Sequence, residues 1–168
     1  RQQDNDFEIR GSSGTTKIYT GNADGDSSTA RLIIDANGHV TMPTQSAFCV
    51  TKDGNLSNLS INASTTVTWQ TERFDQNSDF SSNTFTAPVT GKYAFHVILY
   101  FLQVDADAAY VESILVTSND AYSSIFNPTS FDADSAYHTI QINVIADMDA
   151  NDTAYVRVYL NNTGAAQM

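Results

Sequence analysis

The sequence predicts an all-β protein, and three observations carry that prediction. The helix formers Leu, Glu, Lys and Gln are scarce beside Thr, Val, Ile, Tyr and Phe. No long apolar stripe recurs at i, i+3, i+4 and i+7. Period-two segments punctuated by Asn, Asp, Gly and Ser run from end to end instead. A length of 168 residues holds one full domain and a small appendage.

Residues 1–44 read as the appendage. Alternation and turn spacing predict short strands at 6–10, 16–19, 31–35 and 39–42, with small polar runs at 11–14 and 21–26. Asp35-Ala36-Asn37-Gly38 predicts a hairpin, because Asn-Gly readily takes the positive φ angles of a type I′ turn. Large apolar side chains are sparse here: Phe7, Ile9, Ile18, Tyr19, Leu32, Ile33, Ile34, Val40 and Met42. Their burial is too small to offset the backbone entropy lost in ordering the segment. The segment is expected to need copies of itself, or the following domain, to complete a core.

Residues 45–168 carry more apolar side chains and form the second predicted domain. Strands are expected at 66–70 and 83–87, and the longest at 91–104. In that strand Tyr93, Phe95, Val97, Leu99 and Phe101 share one face, and Ala94, His96, Ile98, Tyr100 and Leu102 the other. Both faces are apolar, so both are expected to be covered, one by an opposing sheet and the other by a partner subunit. Further strands are expected at 109–117, 137–146 and 153–161. The last alternates Ala154, Val156, Val158 and Leu160 with Tyr155, Arg157 and Tyr159. An aromatic face bearing Arg is enriched where protein surfaces dock. The turn ahead of it, 147–152, is acidic.

Charge and reactive side chains narrow the function classes. Eight Lys and Arg against nineteen Asp and Glu give a net charge of −11, a field that disfavours nucleic-acid partners. No run of apolar residues is long enough for a membrane-spanning helix, so membrane insertion is not expected. The single cysteine, Cys49, reads as a small buried hydrophobe. His39, His96 and His138 are far apart, and no Gly-x-Ser-x-Gly marks a nucleophile, so no catalytic residue is assigned and an enzyme is not expected. The paired carboxylates Asp105/Asp107 and Asp132/Asp134 read as solvated turns. Asp147, Asp149 and Asp152 offer hard oxygen ligands of the kind Ca²⁺ takes, without the full loop pattern of a dedicated calcium site.

Phe85-Thr86-Ala87-Pro88-Val89-Thr90-Gly91-Lys92-Tyr93-Ala94-Phe95 resembles the signature of the C1q-like domain, a jelly roll of the C1q/TNF superfamily. Ala47-Phe48, Val67-Thr68-Trp69 and the stretch 151–158 are similar to further elements of that family. Asn151 departs from the family's usual Gly, and the family's closing strand has no counterpart before Met168. The chain is therefore expected to continue, or to receive that strand from a neighbour. Ala30-Arg31-Leu32-Ile33-Ile34-Asp35-Ala36-Asn37-Gly38-His39-Val40 is similar to a hairpin that precedes the distal domains of bacteriophage tail fibres and related virion appendages.

Together these resemblances imply a fibre-shaft segment at 1–44 and a C1q/TNF-like jelly roll at 45–168, assembled as a homotrimer. They imply a phage fibre or spike protein on the virion, bound to other virion proteins, whose head attaches to a host cell-surface glycan or protein. Facing pattern and resemblance assign Tyr93, Phe95, Tyr155 and Tyr159 to the trimer interface. Loops 105–108, 118–124 and 147–152 become the receptor contacts, with Asp105, Asp107, Asn119 and Tyr122 as contact residues. Some C1q-like trimers hold Ca²⁺, which keeps Asp147, Asp149 and Asp152 as metal candidates. Two other roles remain open: an architectural capsid-attached fibre or decoration protein, and a secreted, extracellular C1q-like adhesin or lectin.

Overall fold

The computed structural model describes residues 14–20 and 29–161. It divides into two units, Arg1–Ala47 and Phe48–Met168. The expected strand at 6–10 and the polar run at 21–26 lie outside the described residues.

In the first unit β1 (Thr16–Thr20), β2 (Thr29–Ile34) and β3 (Val40–Thr41) form an antiparallel sheet in the order β1-β2-β3. The register slips between Ile18 and Tyr19. The Asn-Gly turn differs from expectation. Gly38 alone has a positive φ, at 86°, and Asn37 does not share it. The Gly38 N–H donates to the Asp35 carbonyl, and the Asp35 N–H to the His39 carbonyl. The loop is thus a type I turn closed by a left-handed glycine, the three-residue hairpin form. Asp35 decides between the two: its Oδ1 accepts the Asn37 and His39 N–H groups at 2.8 and 2.9 Å, which holds Ala36 and Asn37 in the right-handed region. None of the described residues between 14 and 47 is buried.

The second unit is a β sandwich. One layer runs β11 (Ala121–Phe126), β10 (Tyr110–Thr117), β13 (Thr153–Asn161), β8 (Thr84–Thr86), β7 (Phe80–Ser81), and β5 (Ser64–Thr66) also pairs with β13. β10 pairs along the length of β13. β8 and β5 pair with it at 153–155 and 157–159. β9 (Gly91–Val104) and β12 (Ser135–Met148) form a long antiparallel pair, and β4 (Ala47–Thr51) and β6 (Thr71–Gln76) a separate short one. A 3₁₀ turn at Pro128–Ser130, capped by the Asn127 side chain, links β11 to β12.

The core follows from period-two alternation. Ala154, Val156, Val158 and Leu160 of β13 and Val111 and Leu115 of β10 point inward. They meet Phe95, Val97, Leu99 and Phe101 of β9 and Ile140, Ile142, Ala146 and Met148 of β12. Phe85 centres an aromatic cluster, with ring centroids 5.2 Å from Phe48, 5.3 Å from Tyr93 and 5.6 Å from Phe95. Cys49 is half-buried.

Several boundaries depart from the sequence reading. The expected strand at 66–70 is two pieces: β5 ends at Thr66 and β6 begins at Thr71, with Val67 and Trp69 turned onto the core between them. The Val67 N–H still bonds to the Val156 carbonyl, but Asn83 Oδ1 takes the Trp69 N–H at 2.7 Å and ends the ladder. Residues 118–124, read as a loop, include most of β11, which places Tyr122 on a strand with its ring packed on the core. Among the described residues no helix is long and apolar enough to cross a membrane.

Candidate functional site

Four surfaces carry the residues that bear on function. The first is the outward face of the β9–β12 pair. Alternation that sends Phe95, Val97 and Leu99 into the core turns Ile98 and Tyr100 out, and across the ladder turns Tyr137 and Ile145 out. These four stand 63%, 52%, 66% and 68% exposed. Tyr100 and Tyr137 stack at 5.6 Å with their planes 12° apart. His96 lies on the same face, its Nδ1 2.6 Å from Asn143 Oδ1. A face bearing four large exposed apolar side chains on adjacent strands is unusual for a lone soluble subunit.

The second is the outer face of β13. Tyr155, Arg157 and Tyr159 are half-buried there, and Tyr159 stacks on Tyr110 at 5.9 Å. Arg157 Nε is enclosed without a hydrogen-bond acceptor.

The third is the pair of loop ends. Asp105 Oδ1 accepts the Asp107 N–H at 2.8 Å, and Asp134 Oδ1 accepts the Ala106 N–H at 3.0 Å, at the end of the sandwich where β9 finishes. Asn119 lies at the other end. Its Nδ2 donates to the Asp147 carbonyl at 3.1 Å and to Asp152 Oδ2 at 2.7 Å. Asp152 Oδ2 also accepts the Asp149 N–H at 2.8 Å. Thr90 Oγ1 donates to Asp149 Oδ1 at 3.3 Å, and Lys92 Nζ pairs with Asp147 Oδ2 at 3.0 Å. The structure therefore joins Asn119 with Asp147 and Asp152. It holds Asp105 and Asp107 a β9 length away, on the order of 40 Å at ~3.3 Å per residue. Among the described residues no three His, Cys, Asp or Glu side chains are grouped to hold a metal ion. Each of Asp147, Asp149 and Asp152 accepts from a protein donor.

The fourth was not legible in the sequence. A cleft of about 240 Å³ opens among Val50 of β4, the 69–72 segment, and the β7–β8 hairpin with Phe80, Ser81, Ser82 and Asn83. Ser82 and Asn83 have φ of 50° and 67°, and Ser81 pairs with Thr84. Positive φ at both central residues makes this the tight two-residue hairpin expected earlier at Asn37-Gly38. Trp69 packs one side on the core and lines the cleft with the other.

The histidines form no relay. His39 Nδ1 is 2.9 Å from Asp35 Oδ2 in the exposed hairpin, and this contact holds the Asp35 carboxyl below its ordinary range. His138 stacks on Phe126 at 3.8 Å. With His96 on Asn143, none of the three stands between a hydroxyl and a carboxylate among the described residues.

No protein-family model matches the sequence, and no curated protein matches it. Solved structures do. The globular domain of zebrafish complement 1qA protein is 17% identical and matches over 73% of this chain and 93% of its own, with a TM-score of 0.52. Murine APRIL at pH 8.0 is 13% identical over 73% of this chain and 95% of its own, with a TM-score of 0.50. The fold is a C1q/TNF-like jelly roll.

Within this jelly roll the four residues expected at a subunit interface separate by layer. Phe95 is 7% exposed and packs edge-on against Phe85 in the core of its own subunit. Tyr93 is half-buried beside it, its hydroxyl donating to the Val89 carbonyl at 2.6 Å. Tyr155 and Tyr159 lie on the outer face of the other sheet. The outward row of β9 is the alternate one, which includes Ile98 and Tyr100.

Proposed function

We propose that this chain is a fibre or spike component of a phage virion, a homotrimer whose jelly-roll head attaches to the host cell surface by contact, without covalent chemistry. The observation that carries the reading is the outward face of β9 and β12, where Ile98, Tyr100, Tyr137 and Ile145 stay in water in a single subunit. A neighbouring copy that covers this face removes apolar surface from water at about 25 cal/mol per Å². The first unit supports the same assembly, since it has three paired strands and no buried residue among those described between 14 and 47. The likeness of residues 30–40 to the hairpin of virion appendages supports placement on a particle. A trimer presents each loop three times at fixed spacing, so weak contacts to a surface multiply through effective concentration.

Sedimentation of the purified chain and competition for phage adsorption test the two halves of the proposal. A species of three chains that blocks adsorption in excess is the expected result. A compact single-chain species overturns the assembly, and a trimer that leaves adsorption unchanged overturns the attachment role.

A further inference from the structure

We propose that the cleft beside Trp69 is a binding site for one ring of a neutral saccharide. The inference deepens the attachment reading and rests on it for its biological setting. Saccharides are recognised by an aromatic face against the ring's C–H surface, together with planar amides, hydroxyls and carboxylates that take its hydroxyl pairs. The cleft assembles those groups. Trp69 and Phe80 give the aromatic walls, each held from behind by the core.

The polar rim is free to act. Gln70 Oε1 is held by the Asp53 N–H at 3.1 Å and Lys52 Nζ at 3.5 Å, which leaves its amide nitrogen available. Asn83 Oδ1 is committed to the Trp69 N–H, which leaves its own amide nitrogen available. The Glu72 carboxylate and the Ser81 and Ser82 hydroxyls line the same cleft, and no protein partner engages them among the described residues. The Trp69 ring is fixed by the core, so the cost of ordering falls on the unengaged donors and acceptors of the rim alone.

Size and charge choose the ligand. A volume of about 240 Å³ falls below the roughly 300–1,000 Å³ of pockets that enclose drug-sized molecules, and suits a single ring with its neighbours in solvent. Glu72 lines the cleft itself, whereas Lys52 meets it only through Gln70, so Glu72 and a net charge of −11 oppose a carboxylated or sulfated sugar. Glu72 therefore selects neutral rings by accepting from their hydroxyls.

Trp69 is the chain's one tryptophan, so its emission reports this cleft. The full chain is titrated with glucose, galactose, N-acetylglucosamine and their β-linked disaccharides, with sialyllactose as the anionic arm. A saturable emission shift with at least one neutral sugar, and none with sialyllactose, is expected. Glu72→Ala, at an exposed side chain that bonds nothing in the fold, is expected to weaken that binding about tenfold at an unchanged melting temperature. Glu72→Gln, which keeps an acceptor oxygen, falls between the two. No shift with any neutral sugar, equal binding of sialyllactose, or an unweakened Glu72→Ala variant each overturns the proposal. The titration uses no cells, so its failure is distinct from a failure to block adsorption.

Discussion

Replacing Ile145 by aspartate separates an interface face from a merely exposed one. Ile145 lies on β12 opposite Ala94 of β9 and is 68% exposed. Full burial of an isoleucine is worth about 1.5–3 kcal/mol, so covering the exposed two thirds contributes about 1–2 kcal/mol per subunit. Aspartate forfeits that gain and places a carboxylate without a partner in the contact, at a cost of several kcal/mol more. The sum is roughly 4 kcal/mol per subunit, about a thousandfold at 1.4 kcal/mol per decade. In a lone subunit the position is in water, and the change costs only the poorer strand propensity of aspartate, about 1 kcal/mol at most. Sedimentation velocity at micromolar concentration, with circular dichroism on the same samples, reads both quantities. The wild-type chain is expected to sediment as a trimer and Ile145→Asp as a single folded chain. A variant that stays assembled with its β spectrum intact refutes the assignment of this face to the subunit contact.

Other positions give independent checks. Phe85→Ala empties the centre of the Phe48, Tyr93 and Phe95 cluster and is expected to destabilise the head by about 3–5 kcal/mol, read as a lower urea midpoint at constant slope. The Asp35 carboxyl, lowered chiefly by its hydrogen bond to His39, should titrate by NMR below 3.8 and move back up in His39→Ala. Its folded value is depressed, so its contribution to the hairpin is present above the unfolded pKa and disappears as pH falls through the folded one. Gly38→Ala meets no atom within 4 Å, so its cost is backbone strain alone; at a φ of +86° about 1–2 kcal/mol is expected in thermal melts. Asn119→Ala cuts the tie between the β10–β11 turn and Asp152, and is expected to speed limited proteolysis within 147–152 while the global melt moves little.

The long strands were legible because period-two alternation and burial agree in them. β9 and β13 fall at 91–104 and 153–161 as read, since the inward row of β13 is unbroken, that of β9 runs unbroken to Phe101, and Gly91 and Asn151-Asp152 punctuate their starts. β11 escaped the reading because Ser123 and Ser124 thin the alternation of Tyr122 and Phe126 to two side chains. The 66–70 segment misled because Val67 and Trp69 alternate like a strand, although the bond from Asn83 diverts the chain between them and β6. Both faces of β9 were recognised as apolar, but alternation alone does not say which row faces the opposite sheet; burial of Phe95, Val97, Leu99 and Phe101 shows it. The Trp69 cleft draws on three separated stretches, and no local pattern brings Val50, Glu72 and Ser82 together.

β13 ladders with β10 on one side and with β8 and β5 on the other, so it is the keystone of its layer. Its partners precede it by as many as 95 residues, as Ser64 does Tyr159. During synthesis β5, β8 and β10 leave the ribosome before the strand that joins them exists, and their edges stay open until 153–161 follows. High contact order of this kind makes folding slow and leaves a growing chain exposed to mispairing. A nascent chain halted short of residue 153 should accordingly be held by chaperones or aggregate, whereas one extended past 161 can close its larger sheet in one step.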